Sequence, residues 1–241
     1  MKIIYWMFLI VSIGCNFDDN SSLKVSRQVK VHSKDSLEQI FSSKGVITFK
    51  NTDRNLDKGF VIYNHDGTIF SSISPKRNEI TIIGKKYNLS EYEQSKEAFS
   101  SLYNFSPEAF YPEIGFIFQF TFNAIEGGQV EIYIDKNKLG TKFLKADTSI
   151  FTIESWEEHL LSSIIDFSDR KITIRQKPSD NAKSANIDAR DFAFSVKQIK
   201  GDWVEIECAS FCDIACPPAK MSGWIRWRNK SEILIRFVYA C

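Results

Sequence analysis

No cysteine occurs between Cys15 and Cys208, and the 241-residue chain has only three histidines, His32, His65 and His159. A Cys–His nucleophile pair therefore has no thiol available in residues 16–207. His-Glu-x-x-His, Gly-x-Ser-x-Gly and the glycine-rich phosphate loop are also missing. His65 and Asp66 stand in "HDG" between two apolar runs, which reads as a tight turn rather than a metal site. His159 beside Glu157 and Glu158 reads as part of a solvated helix face. These absences point to a protein that binds rather than catalyses, with no catalytic residue, metal or cofactor.

One-sided charge is lacking too. Lys and Arg number 31 and Asp and Glu 30, with no long basic run or basic helical face. The electrostatic footprint for nucleic acid is therefore absent. Nor does any apolar run reach the roughly 20 residues of a spanning helix.

What is present begins at the N-terminus. Lys2 precedes twelve uncharged, largely apolar residues, Ile3–Gly14, and then Cys15. A positive start, a short apolar stretch and a small residue mark a secretory signal peptide. Ile13-Gly14-Cys15 resembles the lipobox of bacterial lipoproteins. The resemblance implies lipidation of Cys15 and an exported chain anchored to a bacterial membrane, the outer membrane on its periplasmic or surface face. Acyl chains supply about 0.8 kcal/mol per buried CH2, so a multiply acylated cysteine is a firm anchor. Residues 1–14 are then the signal peptide and 15–30 a lipidated flexible tether. Asp18–Asp19 resembles the acidic export tags of Bacteroidota surface lipoproteins, although a solvated linker explains it more simply.

Residues 31–167 read as an α+β domain, a mostly antiparallel sheet with two or three helices. Strand-like stretches are "GVITFK", "GFVIYNHDGTIF", "NEITIIGKKYNL" and the long apolar "EIGFIFQFTFN", which reads as a central strand. "GGQVEIYID" should pair with that strand across Gly127–Gly128. Helices are expected at "DSLEQIFSS", "SEYEQSKEAFSSLY" and "SWEEHLLSSII". The last carries a capping box, Ser155 with Glu158, and an apolar face of Trp156, Leu160, Leu161, Ile164 and Ile165.

Residues 170–241 change character. "ITIRQKPSDNAK", a short strand around Asn186–Ile187, "FAFSVKQIKGDWVEIEC" and "SGWIRW" follow one another in that order. The series resembles the bacterial SH3-like (SH3b) domain, over roughly Lys171 to Ile235. It implies an all-β SH3-like small barrel, with a short turn expanded into "SFCDIACPPAKMS". By the same resemblance, the partners would be peptidoglycan, a peptide or an envelope protein.

Cys208, Cys212, Cys216 and Cys241 all fall within the last 34 residues of a chain read as exported. An even number of thiols in an oxidising compartment points to disulfides rather than zinc. Three pairings are open; Cys212 with Cys216 and Cys208 with Cys241 is favoured because it would pin the last strand. Trp224, Arg226 and Arg228 alternate with Ile225 and Trp227, so one set fills the core and the other can present aromatic and guanidinium groups to a ligand. The functional expectation is a non-enzymatic envelope lipoprotein. The alternative is a cell-wall hydrolase or inhibitor with its site in residues 31–167 and the C-terminal part used for targeting.

Overall fold

β-branched and aromatic residues dominate the strand-like stretches, and these residues fit a pleated, half-buried surface. In the computed structural model they build two antiparallel sheets. The structure describes residues 43–94, 96–112, 116–135, 140–167, 172–185, 187, 189, 191–218, 221–229 and 232–239. The expected signal peptide, Cys15, the expected tether, the helix expected from Asp35 and Cys241 lie outside the described residues.

In chain order the first sheet takes β1 (Gly45–Phe49), β2 (Phe60–Tyr63), β3 (Ile69–Ser74), β4 (Glu79–Ile82) and β5 (Lys85–Asn88). It continues with β6 (Ala109–Tyr111), β7 (Ile117–Glu126), β8 (Gln129–Tyr133), β9 (Thr141–Lys145) and β10 (Phe151–Ser155). Its order is β10-β1-β7-β8-β9-β2-β3-β4-β5, with β6 beside β7. The second sheet takes β11 (Ile164–Asp166), β12 (Ala193–Lys200), β13 (Trp203–Ala209), β14 (Ser222–Arg226) and β15 (Arg236–Val238), in the order β14-β13-β12-β11-β15. Among the described residues the helices are short: α1 (Asp53–Lys58), α2 (Leu89–Gln94), α3 (Lys96–Tyr103) and α4 (Trp156–Ser162). None is long and apolar enough to cross a membrane.

The expected α+β domain followed by an SH3-like barrel is therefore corrected: the chain is mostly antiparallel β, in two sheets. Two features account for the difference. "ITIRQKPSDNAK" supplies only isolated bridges, Arg175 to Ser184 and Arg175 to Trp224, instead of an opening strand. The second sheet also takes a strand from upstream, since Ile164 and Ile165 leave the helix and pair with both β12 and β15. Ser163 is already extended, at ψ 155°, and two β-branched residues follow it. The helix thus ends one turn earlier than its apolar spacing suggests, and Leu161 is exposed.

Several local readings hold. β7 is central and buried through Phe118–Phe122, and it meets β8 across Gly127–Gly128. Both capping-box bonds form: the Ser155 N–H donates to Glu158 Oε2 at 2.8 Å, and the Glu158 N–H donates to Ser155 Oγ at 3.2 Å. Eleven of the 20 phenylalanines lie in the first core, many in edge-on pairs such as Phe60–Phe118. The aromatic richness of the chain is thus mainly packing.

The two sheets belong to one compact unit, and β1 serves both cores. Ile47 and Phe49 enter the first core, and Val46 enters the second with Trp156, Leu160 and Trp227. The Trp156 indole N–H donates to the Ser43 carbonyl at 2.9 Å. The Tyr239 hydroxyl donates to Gln119 Oε1, and Gln119 Nε2 donates to Thr48 Oγ1 at 2.8 Å, so a residue beyond β15 is tied to the centre of the first sheet.

Gly223 is where residues 174–175 cross β14. A Cβ there would lie 2.5 Å from Ile174 Cγ2 and 2.8 Å from the Arg175 carbonyl oxygen. Arg175 and Trp224 exchange both backbone hydrogen bonds, at 2.7 and 2.8 Å, so the backbone cannot easily retreat. Gly223→Ala is expected to destabilise the protein by about 1–3 kcal/mol in chemical denaturation, the usual range for overpacking.

Candidate ligand-binding face

Alternation along β13 and β14 decides which side chains face outward. Val204, Ile206, Ile225 and Trp227 are buried in the second core. Trp203, Glu205, Trp224 and Arg226 consequently point the other way, and the strand register sets Trp203 opposite Arg226 and Glu205 opposite Trp224. The Arg226 guanidinium lies 5.3 Å from the Trp203 ring centroid, within cation–π range. Its Nη2 meets Asp180 Oδ2 at 2.5 Å. Among the described residues Arg226 Nε is shut away without an acceptor, and stacking and one carboxylate hold this guanidinium.

Asp180 reaches Arg226 because the segment after Arg175 doubles back. Gln176 donates its N–H to the Lys183 carbonyl at 3.0 Å, and Arg175 Nη1 donates to the Ala182 carbonyl at 2.8 Å. The Asp180 side chain is 68% exposed and that of Arg226 35%, so the pair sits at the surface, where such bridges contribute only about 0–1 kcal/mol. An incoming carboxylate can replace Asp180 at little cost. The resulting surface carries two half-buried indoles, Trp203 and Trp224, the Arg226 cation with Asp180 as its exchangeable counter-ion, and a second carboxylate, Glu205, opposite Trp224.

Of the three residues singled out from sequence, Trp224 and Arg226 thus lie together on the outer face. Arg228 is placed differently. Its guanidinium lies 4.7 Å from the Trp227 ring, and its Nε donates to Asp202 Oδ1 at 3.0 Å beside the β12–β13 turn. Sequence reasoning did not assign Trp203 or Asp180 to the site. The alternation in "DWVEIE" already put Trp203 on the polar side; no local signal connects Asp180 to a strand 46 residues later.

The cysteines stiffen the loop that leaves this face. Cys208 on β13 is bonded to Cys216, with Cα atoms 5.9 Å apart. The favoured pairing of Cys212 with Cys216 and Cys208 with Cys241 is overturned. Phe211 and Ile214 exchange backbone hydrogen bonds in a tight turn, and Cys212 occupies it at φ 56°, exposed, while Cys216 comes back alongside Cys208. Cys212 is itself disulfide-bonded. Closing the loop from Cys208 to Cys216 restricts the unfolded chain by about 2–3 kcal/mol on a chain-entropy reckoning.

Two other polar sites lie elsewhere in the fold. A cavity of about 550 Å3 lies by α1, lined in part by Asp53, Leu56, Asp57, Lys76 and Phe116. Two of its charges pair, Lys76 meeting Asp57 at 2.6 Å. The second is His159, whose reading as a solvated residue is corrected: it is only 5% exposed, against Trp156 and Phe237. Its Nδ1 lies 3.1 Å from Glu154 Oε2, and its Nε2 has no partner among the described residues. Burial pushes the imidazole below its ordinary pKa, against the opposing pull of Glu154 and Glu108. Burial likewise pushes the Tyr239 hydroxyl far up, keeping it a donor to Gln119. His65, at the β2–β3 turn, has Nε2 3.0 Å from Thr141 Oγ1 and its ring against Phe143, in keeping with a turn role.

A His held neutral in the fold binds its proton less readily than in the unfolded chain. As pH falls through the unfolded value of about 6.5, the unfolded state takes up the proton first and stability declines. Denaturation midpoints are expected to drop between about pH 8 and about pH 5.5. His159→Gln should flatten that slope, and an unchanged slope would contradict this account.

Compared with known protein families, curated proteins and solved structures, the chain matches none of them, so its chemistry rests on the geometry of its own residues.

Proposed function

We propose that this protein is a non-enzymatic, lipid-anchored cell-envelope protein, and that the outer face of β13 and β14 binds a carboxylate-bearing envelope ligand. The chemistry of that face suits peptidoglycan stem peptides, another peptide, or an acidic segment of an envelope protein. The observation that carries the reading is the Trp203–Arg226–Trp224 surface with Asp180 as its displaceable counter-ion. Indole faces supply area at low entropic cost, and the guanidinium fork matches a carboxylate.

The Cys208–Cys216 bridge supports the same reading. It braces the strand that carries Trp203, so the face is preorganised before a ligand arrives. The lipid anchor is supported by the sequence alone, through the apolar run that stops at Cys15.

The test is retention of full-length protein on isolated peptidoglycan or on a captured envelope partner. Trp203→Ala or Arg226→Gln should weaken retention about tenfold, whereas Asp180→Asn should strengthen it by freeing the guanidinium. Equal retention by all three variants would sink the proposal. Turnover of cell-wall fragments that survives these changes would replace it with the hydrolase reading. Cys15→Ala should release the protein from membranes and abolish lipid labelling.

A further inference from the structure

At one end of the first sheet, aliphatic side chains stand where a hairpin normally carries polar ones. β4 and β5 are joined by the two-residue turn Ile83–Gly84, with Ile82 opposite Lys85. Both turn residues are left-handed, at φ 49° and 77°. Asn, Asp and Gly enter that region readily, whereas a β-branched residue there is strained. Ile83 is nonetheless 65% exposed, so packing among the described residues does not explain it.

The turn has apolar company. The Ile83 N–H donates to the Phe70 carbonyl at 2.8 Å, which sets it beside Ile69, itself 61% exposed. Ile69 lies opposite Tyr63, and Tyr63 opposite Phe143. Ile62 and Leu144, their neighbours in the chain, are buried in the first core, so Tyr63 and Phe143 line the outward face. An aliphatic–aromatic row therefore crosses three strands next to a strained aliphatic tip.

Lysines flank this end of the sheet from both faces, Lys145 on the outward side with Tyr63 and Phe143, and Lys142 and Lys85 on the side of Leu144 and Ile82. Lys145 lies 6.0 Å from the Tyr63 ring centroid, Lys142 lies 5.1 Å from that of Phe70, and Lys85 follows the turn directly, 5.3 Å from the Tyr87 ring. Of the carboxylates close by, Glu131 stands opposite Phe143 and accepts from the Asn123 amide at 2.9 Å. Asp66 accepts from the Thr68 N–H and hydroxyl and also draws on the charge of Lys142, and Glu79 pairs with Lys86. Among the described residues Lys85 and Lys145 have no carboxylate partner.

We infer that this end of the first sheet docks on an anionic phospholipid surface. Ile83 and Ile69 enter the headgroup–acyl boundary, and Lys85, Lys142 and Lys145 meet lipid phosphates. Charge complementarity selects the occupant: exposed aliphatics flanked by lysines match an interface that is apolar beneath and anionic above. The contact is separate from the acyl anchor and would fix the orientation of the protein on the membrane.

The experiment uses the full chain with Cys15→Ala, which removes the acyl anchor, in co-sedimentation with vesicles. Phosphatidylcholine vesicles are compared with vesicles that also contain phosphatidylglycerol. The protein should sediment with the anionic vesicles, and added salt should release it. Adding Ile83→Asn should lower affinity about tenfold with an unchanged or higher melting temperature, because Asn suits the turn. Adding Lys145→Gln should lower it about fivefold. The inference is overturned if the Cys15→Ala chain ignores anionic vesicles, if both vesicle types bind it equally, or if Ile83→Asn binds as tightly. Capture of a protein through Ile83 without vesicle binding overturns it as well. The β13–β14 face is not part of this surface, so peptidoglycan retention by the Ile83→Asn chain reports separately on the proposed function.

Discussion

The fold depends on one strand being buried on both sides. β1 gives Ile47 and Phe49 to one core and Val46 to the other, and Trp156 closes over it with its indole N–H on the Ser43 carbonyl. Helix α4 follows from that position, since it starts directly after β10, the strand paired with β1. The capping box fixes where the helix begins, and the departure of Ile164 into β11 fixes where it ends. Each sheet thereby gains a hydrophobic partner that it does not carry itself. The Tyr239–Gln119–Thr48 chain of hydrogen bonds ties the end of the second sheet to the middle of the first.

Local patterns were legible in the sequence wherever period and turn chemistry agree. The apolar run through Phe118–Phe122, the Gly127–Gly128 turn and the alternation of Trp203 with Val204 each follow from a few adjacent residues. Non-local pairings were not legible. Ile164 and Ile165 fit a helix face equally well until β12 and β15 compete for them. The strand succession after Lys171 resembles a small barrel, yet its first stretch forms bridges only and its sheet is completed from upstream. Four-residue spacing could not show that Cys212 sits at a turn while Cys216 returns to Cys208. His159 looked polar beside two glutamates, but helical spacing put it on the face that meets Phe237.

The candidate site was half legible for the same reason. Trp224 and Arg226 follow from alternation within one strand. Trp203 needs the cross-strand register, and Asp180 needs a loop that folds across β14 over Gly223. That loop is why Gly223 matters: a residue without a side chain lets residues 174–175 approach, and the approach delivers the counter-ion.

The central claim is that Trp203 and Trp224 share a face with a ligand-exchangeable Arg226. The most direct measurement is the indole N–H resonances of the full chain during titration with solubilised peptidoglycan fragments. The account predicts shifts at Trp203 and Trp224, with Trp156 and Trp227, both buried in the second core, unmoved. Saturable binding that leaves Trp203 and Trp224 in place would contradict it.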